Sequence, residues 1–197
     1  MIMLRNTYAF LILFLISSSI CAQNADFQKA VAYFKGAALV TAKVTRIDHK
    51  AAVANDEKLK GTMTIQSPDK MNISVADGRE QLDMNGCDFT MLTRGREHKT
   101  SSKRDNQFVA FQTVLKAIIN ADATMLANVP GISLCTNGDI LTITMDPTVG
   151  QEHKKRMMFT SFVVTLDVRN CELRSLRMNG RGKNYTEYTF SDFVYKK

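Results

Sequence analysis

The 197-residue chain has no tryptophan and only three prolines, and beyond its N-terminus no apolar run approaches the length of a membrane-spanning helix. Catalytic signatures are also missing. There is no G-x-S-x-G elbow, no H-E-x-x-H and no phosphate-binding glycine loop, and Arg181-Gly182-Lys183 reads as a hairpin turn. The three histidines, His49, His98 and His153, fall in expected loops or hairpin tips among lysines and arginines, and no two share metal-ligand spacing. They read as solvated surface groups. Acidic residues are scattered and form no pair suited to acid–base work. The expectation is therefore a protein that is not an enzyme and that uses no metal and no cofactor.

Charge is short on the acidic side, 19 acids against 26 bases, for a formal net charge of +7. Two basic clusters stand out. One holds Arg94, Arg96, His98, Lys99, Lys103 and Arg104, the other His153, Lys154, Lys155 and Arg156. Single-stranded nucleic-acid sites interleave such charges with stacking aromatics, which are absent here, so nucleic acid is excluded as a partner. The ordinary reading of each cluster is a solvated loop. The sharper one is a basic rim around an opening, placed to touch lipid phosphates or an acidic partner.

What the chain does have begins at residue 1. Arg5 precedes the apolar run Ala9 to Ile16, small residues follow at Ser17 to Ser19, and Ile20-Cys21-Ala22 leads into polar Gln23. That is the layout of a secretory signal peptide, 1–22, cut after Ala22. Cys21 offers an alternative as a lipidated first residue, which the bulky Ile20 before it disfavours. The expected mature chain, 23–197, is one periplasmic domain of about 175 residues, enough for a sizeable core. It keeps Cys87, Cys135 and Cys171. An odd count leaves at least one outside any intrachain disulfide, and Cys135–Cys171 is the pair to test first.

Periodicity supplies the fold class. Phe27, Val31 and Phe34 predict an amphipathic helix from Asp26 to about Lys35, stopped by Gly36. The period then changes to two, through Val40, Ala42 and Val44, and after a polar loop from His49 to Lys58 through Met63 and Ile65, Met71 to Val75, Leu82 and Met84, and Phe89 and Met91. Asp77-Gly78, Asn85-Gly86, Asn137-Gly138 and Asn179-Gly180 supply turn signals between these runs, and Pro68-Asp69 adds another. From Phe108 to Ile119 apolar residues recur at three and four, which predicts a helix with a wide apolar face, and Pro130-Gly131 ends a looser stretch after it. Strands resume at Leu141 to Met145, Met157 to Val168, Glu172 to Met178 and Tyr185 to Tyr195. The sum is a mainly β, α+β chain of about ten antiparallel strands and two or three helices.

This order of elements resembles the LolA-type periplasmic carriers of outer-membrane lipoproteins. Gly61 to Ile73, with its Pro68 turn, is similar to a strand–turn–strand unit of that family. Met84 to Met91 is similar to its next hairpin, and Leu173 to Phe190 to its closing one. The family's arginine before the turn proline is Ser67 here, and Met71, Ile73 and Leu82 stand where neighbouring strands commonly carry Trp and Phe.

The resemblance implies a strongly curved, incompletely closed antiparallel β-barrel with helices covering the concave face and acyl chains held between. Its cavity wall would take Met63, Ile65, Met71 and Ile73 from the early strands, Phe89 and Met91 from the next, and Leu141, Ile143, Met145 and Phe190 from the late ones. Phe108, Phe111 and Leu115 would form the lid. Methionine is flexible and polarizable and suits a wall that repacks around floppy chains. The implied ligand is a lipoprotein or other acyl lipid, passed by a monomer between membrane-bound donor and acceptor proteins. The alternative is a non-carrier module of the envelope that binds a protein partner or an envelope polymer on the same fold.

Overall fold

A computed structural model describes residues 23–101, 106–127, 129–149 and 157–197. The expected signal peptide with Cys21, Lys103, Arg104 and the basic cluster at 153–156 lie outside the described residues. Helix α1 occupies residues 23–30 and passes into turns through residue 36. Five consecutive hairpins follow: β1 (Leu39–His49), β2 (Glu57–Gln66), β3 (Lys70–Val75), β4 (Glu80–Asn85), β5 (Asp88–Thr93) and β6 (Arg96–Ser101). A 3-10 turn (Asn106–Phe108) leads into α2 (Val109–Ile119), and a second (Ala123–Leu126) precedes β7 (Ile132–Asn137). Then come β8 (Ile140–Met145), β9 (Ser161–Asp167), β10 (Glu172–Asn179) and β11 (Tyr185–Lys196).

All eleven strands form one antiparallel sheet in the order β6-β5-β4-β3-β2-β1-β11-β10-β9-β8-β7. The first and last strands therefore meet in the middle, and β6 and β7 are left as edges of a curved sheet that does not close. The period-two pattern sets the register. Val40, Ala42 and Val44 of β1 face inward with Met63 and Ile65 of β2 and Met71, Ile73 and Val75 of β3. The β1–β11 ladder slips between Thr41 and Lys43, opposite Asp192, whose φ is 55°. Such a bulge bends a strand and increases its twist. A second point of close approach is Gly61, where an added Cβ would lie 1.9 Å from the Ser74 carbonyl oxygen and 2.7 Å from Val75 Cα. The inner face admits no side chain there, because the neighbouring strand crosses too near.

Both helices lie on the inner face. α1 and the turns after it bury Phe27, Ala30, Val31 and Phe34, and Phe34 packs edge-on against Tyr195 near the end of β11, with centroids 5.5 Å apart. α2 buries Phe111, Val114, Leu115 and Ile118. Its C-terminal Asn120 donates to the carbonyl of Pro68 (2.8 Å), and Gln112 donates to the carbonyl of Cys87 (3.1 Å), so the helix is tied to two sheet turns as well as packed on the sheet.

Several expectations change. The segment Arg96–Ser101 is a strand, β6, where the sequence suggested a solvated basic loop. It carries no apolar residue to signal its period, and it forms because β5 offers it a free edge. β9 starts at Ser161, four residues later than the apolar run at Met157 suggests. Asn179-Gly180 marks a joint, but the loop there runs through residue 184, and Gly182 and Lys183 take the positive φ angles (67° and 65°). No disulfide joins Cys135 and Cys171. Cys135 lies on edge strand β7, two strand spacings or roughly 10 Å from β9, and Cys171 lies in the turn after β9, whereas a disulfide needs Cα atoms within about 7 Å.

Candidate functional site

The thirteen residues expected to line an acyl cavity come together in one apolar cluster between sheet and helices. Met63, Met71, Ile73, Phe89, Leu141, Ile143 and Met145 are buried on the sheet, as are Ile65 and Phe190, and Phe108, Phe111 and Leu115 are buried against them from the helical side. Met91 is partly buried at the margin. The five phenylalanines Phe89, Phe108, Phe111, Phe159 and Phe162 form a continuous aromatic group, with centroids 4.5 to 5.9 Å apart along it. These side chains are packed against one another.

Open space lies next to this cluster, at the end of the sheet where β1 and β10 finish and β11 begins. A cavity of about 610 Å³ is lined there by Met157, Met158, Phe159 and Met178 and by Arg46, Lys50, Arg94 and Arg181, with His49, Tyr185 and Thr186 on its sheet side. Its size is that of a small-molecule site. None of the thirteen expected wall residues lines it. Phe159 belongs to both regions: it borders the cavity and its ring lies 5.9 Å from Phe108 and 5.3 Å from Phe162. Sequence reading placed Met157 to Phe159 inside a regular strand and so missed them as cavity residues. The break in alternation, three consecutive apolar residues, was the available signal.

The floor of the cavity carries charge. Arg46 continues the inward alternation of β1 and is 4% exposed. Its guanidinium donates to Asp48 (2.7 Å) and pairs with Glu80 on β4. Asp48 also accepts from the Thr186 hydroxyl at 2.6 Å. Tyr188 pairs with Arg46 across the β1–β11 ladder, its ring centroid 5.8 Å from the guanidinium carbon. Burial outweighs the opposing pull of Arg46 and, with a smaller push from Asp48, moves the Tyr188 hydroxyl up to about 12. At the rim, His49 stacks on Tyr185 (4.8 Å) and hydrogen-bonds Asp56 (2.8 Å), while Arg177 covers the Tyr185 ring at 3.6 Å. His49 is thus half-buried and partnered, not the free surface group its sequence context suggested.

Some solved structures resemble the chain at low identity. A LolA superfamily protein from Nitrosomonas europaea is 8% identical, with a TM-score of 0.41 over 88% of this chain and 93% of that one. An outer-membrane lipoprotein-sorting protein domain from Vibrio parahaemolyticus is 11% identical, with a TM-score of 0.40 over 88% and 92%. The lipoprotein LppX from Mycobacterium tuberculosis is 11% identical, with a TM-score of 0.33 over 87% and 94%. No family model matches the chain, and no curated protein matches it. No helix among the described residues is long and apolar enough to cross a membrane. Among the described residues no group of three or more His, Cys, Asp or Glu side chains is placed to hold a metal ion.

Proposed function

We propose that this chain is a non-catalytic binder and carrier of acylated ligands in the periplasm, an outer-membrane lipoprotein or another acyl lipid, reached through the signal peptide 1–22. The observation that carries the proposal is the cavity at the open end of the sheet, where Met157, Met158, Phe159 and Met178 stand beside basic groups and Phe159 leads into the apolar interior. Each methylene withdrawn from water is worth about 0.8 kcal/mol, so an acyl chain crosses an aqueous space only with an apolar wall around it. The cavity takes the first part of such a chain. The rest enters when Phe159 swings away from Phe108 and Phe162, letting the chain run along Met63, Met71, Met145 and their neighbours under α2. The rim bases meet the polar end of the ligand. Release is by handoff from a monomer to a membrane-bound acceptor, because withdrawal into bare water forfeits the whole apolar gain.

The close packing of the interior favours one other reading, a non-carrier envelope module whose core is simply a core. Native mass spectrometry of gently purified protein, followed by titration with a fluorescent fatty acid, separates the two. The carrier reading expects bound lipid of discrete mass and saturable, displaceable binding of the probe. Absence of both leaves the interaction module.

A further inference from the structure

Exposed apolar and basic side chains meet at the cavity end of the sheet. Val53, in the β1–β2 loop, is 53% exposed, and Met158, before β9, is 43% exposed. Both are large apolar side chains left exposed in loops. Three loops of this end are bound into one rim. The backbone amide of Ala51 donates to the side chain of Asn184 (2.9 Å), which joins the β1–β2 loop to the β10–β11 loop. The Thr160 amide donates to the carbonyl of Asn179 (2.7 Å), which joins the segment before β9 to the same loop. Gln107 holds that segment from behind by accepting from the Met158 amide at 3.0 Å.

Lys50, Arg181 and Lys183 are exposed on this rim. Among the described residues, Asp48 is partnered with Arg46, Asp56 with His49 and Glu57 with Arg94. Lys50, Arg181 and Lys183 add three positive charges to this exposed rim. Single apolar tips set among lysines and arginines, without a contiguous apolar patch, suit a fluid surface that closes around each tip. A folded protein partner would instead require a matched patch.

From this arrangement we infer that the rim is a docking surface for an anionic lipid bilayer, with Val53 and Met158 entering the headgroup region and Lys50, Arg181 and Lys183 lying against lipid phosphates. Lipid phosphates attract each such base within a Debye length, and each apolar tip adds its own transfer from water. The contact turns the cavity mouth toward the membrane, but it stands independently of whether the cavity holds an acyl chain.

Sedimentation of the purified protein with vesicles tests it. The protein should pellet with vesicles of equal phosphatidylglycerol and phosphatidylcholine at low salt, bind phosphatidylcholine vesicles weakly, and release from the anionic ones as salt is raised. Val53→Asp and Met158→Asp should each weaken anionic-vesicle affinity about tenfold or more, since a full side-chain transfer is lost. Both positions are solvent-exposed, and unchanged circular dichroism confirms the fold. Val194→Asp, at an exposed position near the opposite end of β11, should leave binding unchanged. Failure to bind anionic vesicles overturns the inference, as does equal loss from Val194→Asp. Salt-sensitive capture of an acidic protein with no vesicle binding also overturns it, in favour of a protein partner. Fatty-acid titration of the same variants reads the cavity separately, so the two proposals fail by different signals.

Discussion

Phe89 on β5 and Phe108 at the entrance of α2 stack with ring centroids 4.5 Å apart and planes 25° from parallel. Phe108 also meets Phe162 of β9 at 5.6 Å, so one side chain links the two wings of an open sheet whose edge strands do not pair. Phe159 closes this group on the cavity side.

That geometry makes Phe159 and Phe108 separable by mutation. Phe108→Ala removes a fully buried ring at the joint and should cost about 3–5 kcal/mol in urea unfolding. Phe159→Ala removes a ring at the cavity wall, where the neighbours can relax into open space, and should cost less. If Phe159 is the gate to an acyl interior, its removal joins cavity and interior and raises fluorescent fatty-acid binding severalfold while stability falls. A loss of stability with no gain in binding would identify it as ordinary core.

The strands and the buried residues of the core were legible because period two and period 3.6 are written by apolar side chains, and burial of Met63, Met71, Ile73 and Phe108 follows from those periods alone. The site was less so. Met157 to Phe159 look like the start of β9, and three consecutive apolar residues are the one local sign that alternation fails there. β6 has no apolar residue, so its strand character comes from the edge of β5 and not from Arg96 to Ser101 themselves. Arg46 is the sharpest case. It sits at an inward position in step with Val40, Ala42 and Val44, where apolar periodicity gives no warning of a charge. It is buried because Asp48 lies two residues along the same face and Glu80 reaches it from β4, a pairing that no local pattern announces.

That buried cluster gives a second prediction. Arg46 faces two carboxylates, so removing the cation leaves Asp48 and Glu80 close together with no opposite charge between them. Arg46→Met should destabilise the protein by about 3–5 kcal/mol, the usual cost of breaking one side of a buried pair. Glu80→Gln leaves the Arg46–Asp48 pair intact and should cost clearly less. Chemical denaturation of the two variants checks the order. Equal costs would mean that Glu80, and not Asp48, is the partner that matters to Arg46.

A third prediction concerns acid stability and the far end of the sheet. Asp167 closes β9 and is 3% exposed. Burial pushes its carboxyl up. The Asn170 amide N–H (2.7 Å), the Arg174 guanidinium (3.0 and 2.5 Å) and the Asn170 side chain (2.9 Å) together outweigh burial and hold it below the ordinary carboxylate value. A carboxyl whose pKa is depressed by folding binds its proton more readily in the unfolded chain. The stability it contributes is therefore present above the unfolded value of about 3.9 and is lost as pH falls through the lower folded value. Wild type should be more stable than Asp167→Asn at pH 7, and the gap should narrow steadily as pH is lowered below about 4. Arg174 is half-exposed, so part of its contribution is screened, and raising the salt concentration at pH 7 should shrink the gap modestly. Urea unfolding of both proteins across the acid range reads the result directly. A pH-independent gap would assign the role of Asp167 to its hydrogen-bonding shape, which asparagine partly keeps, and not to its charge.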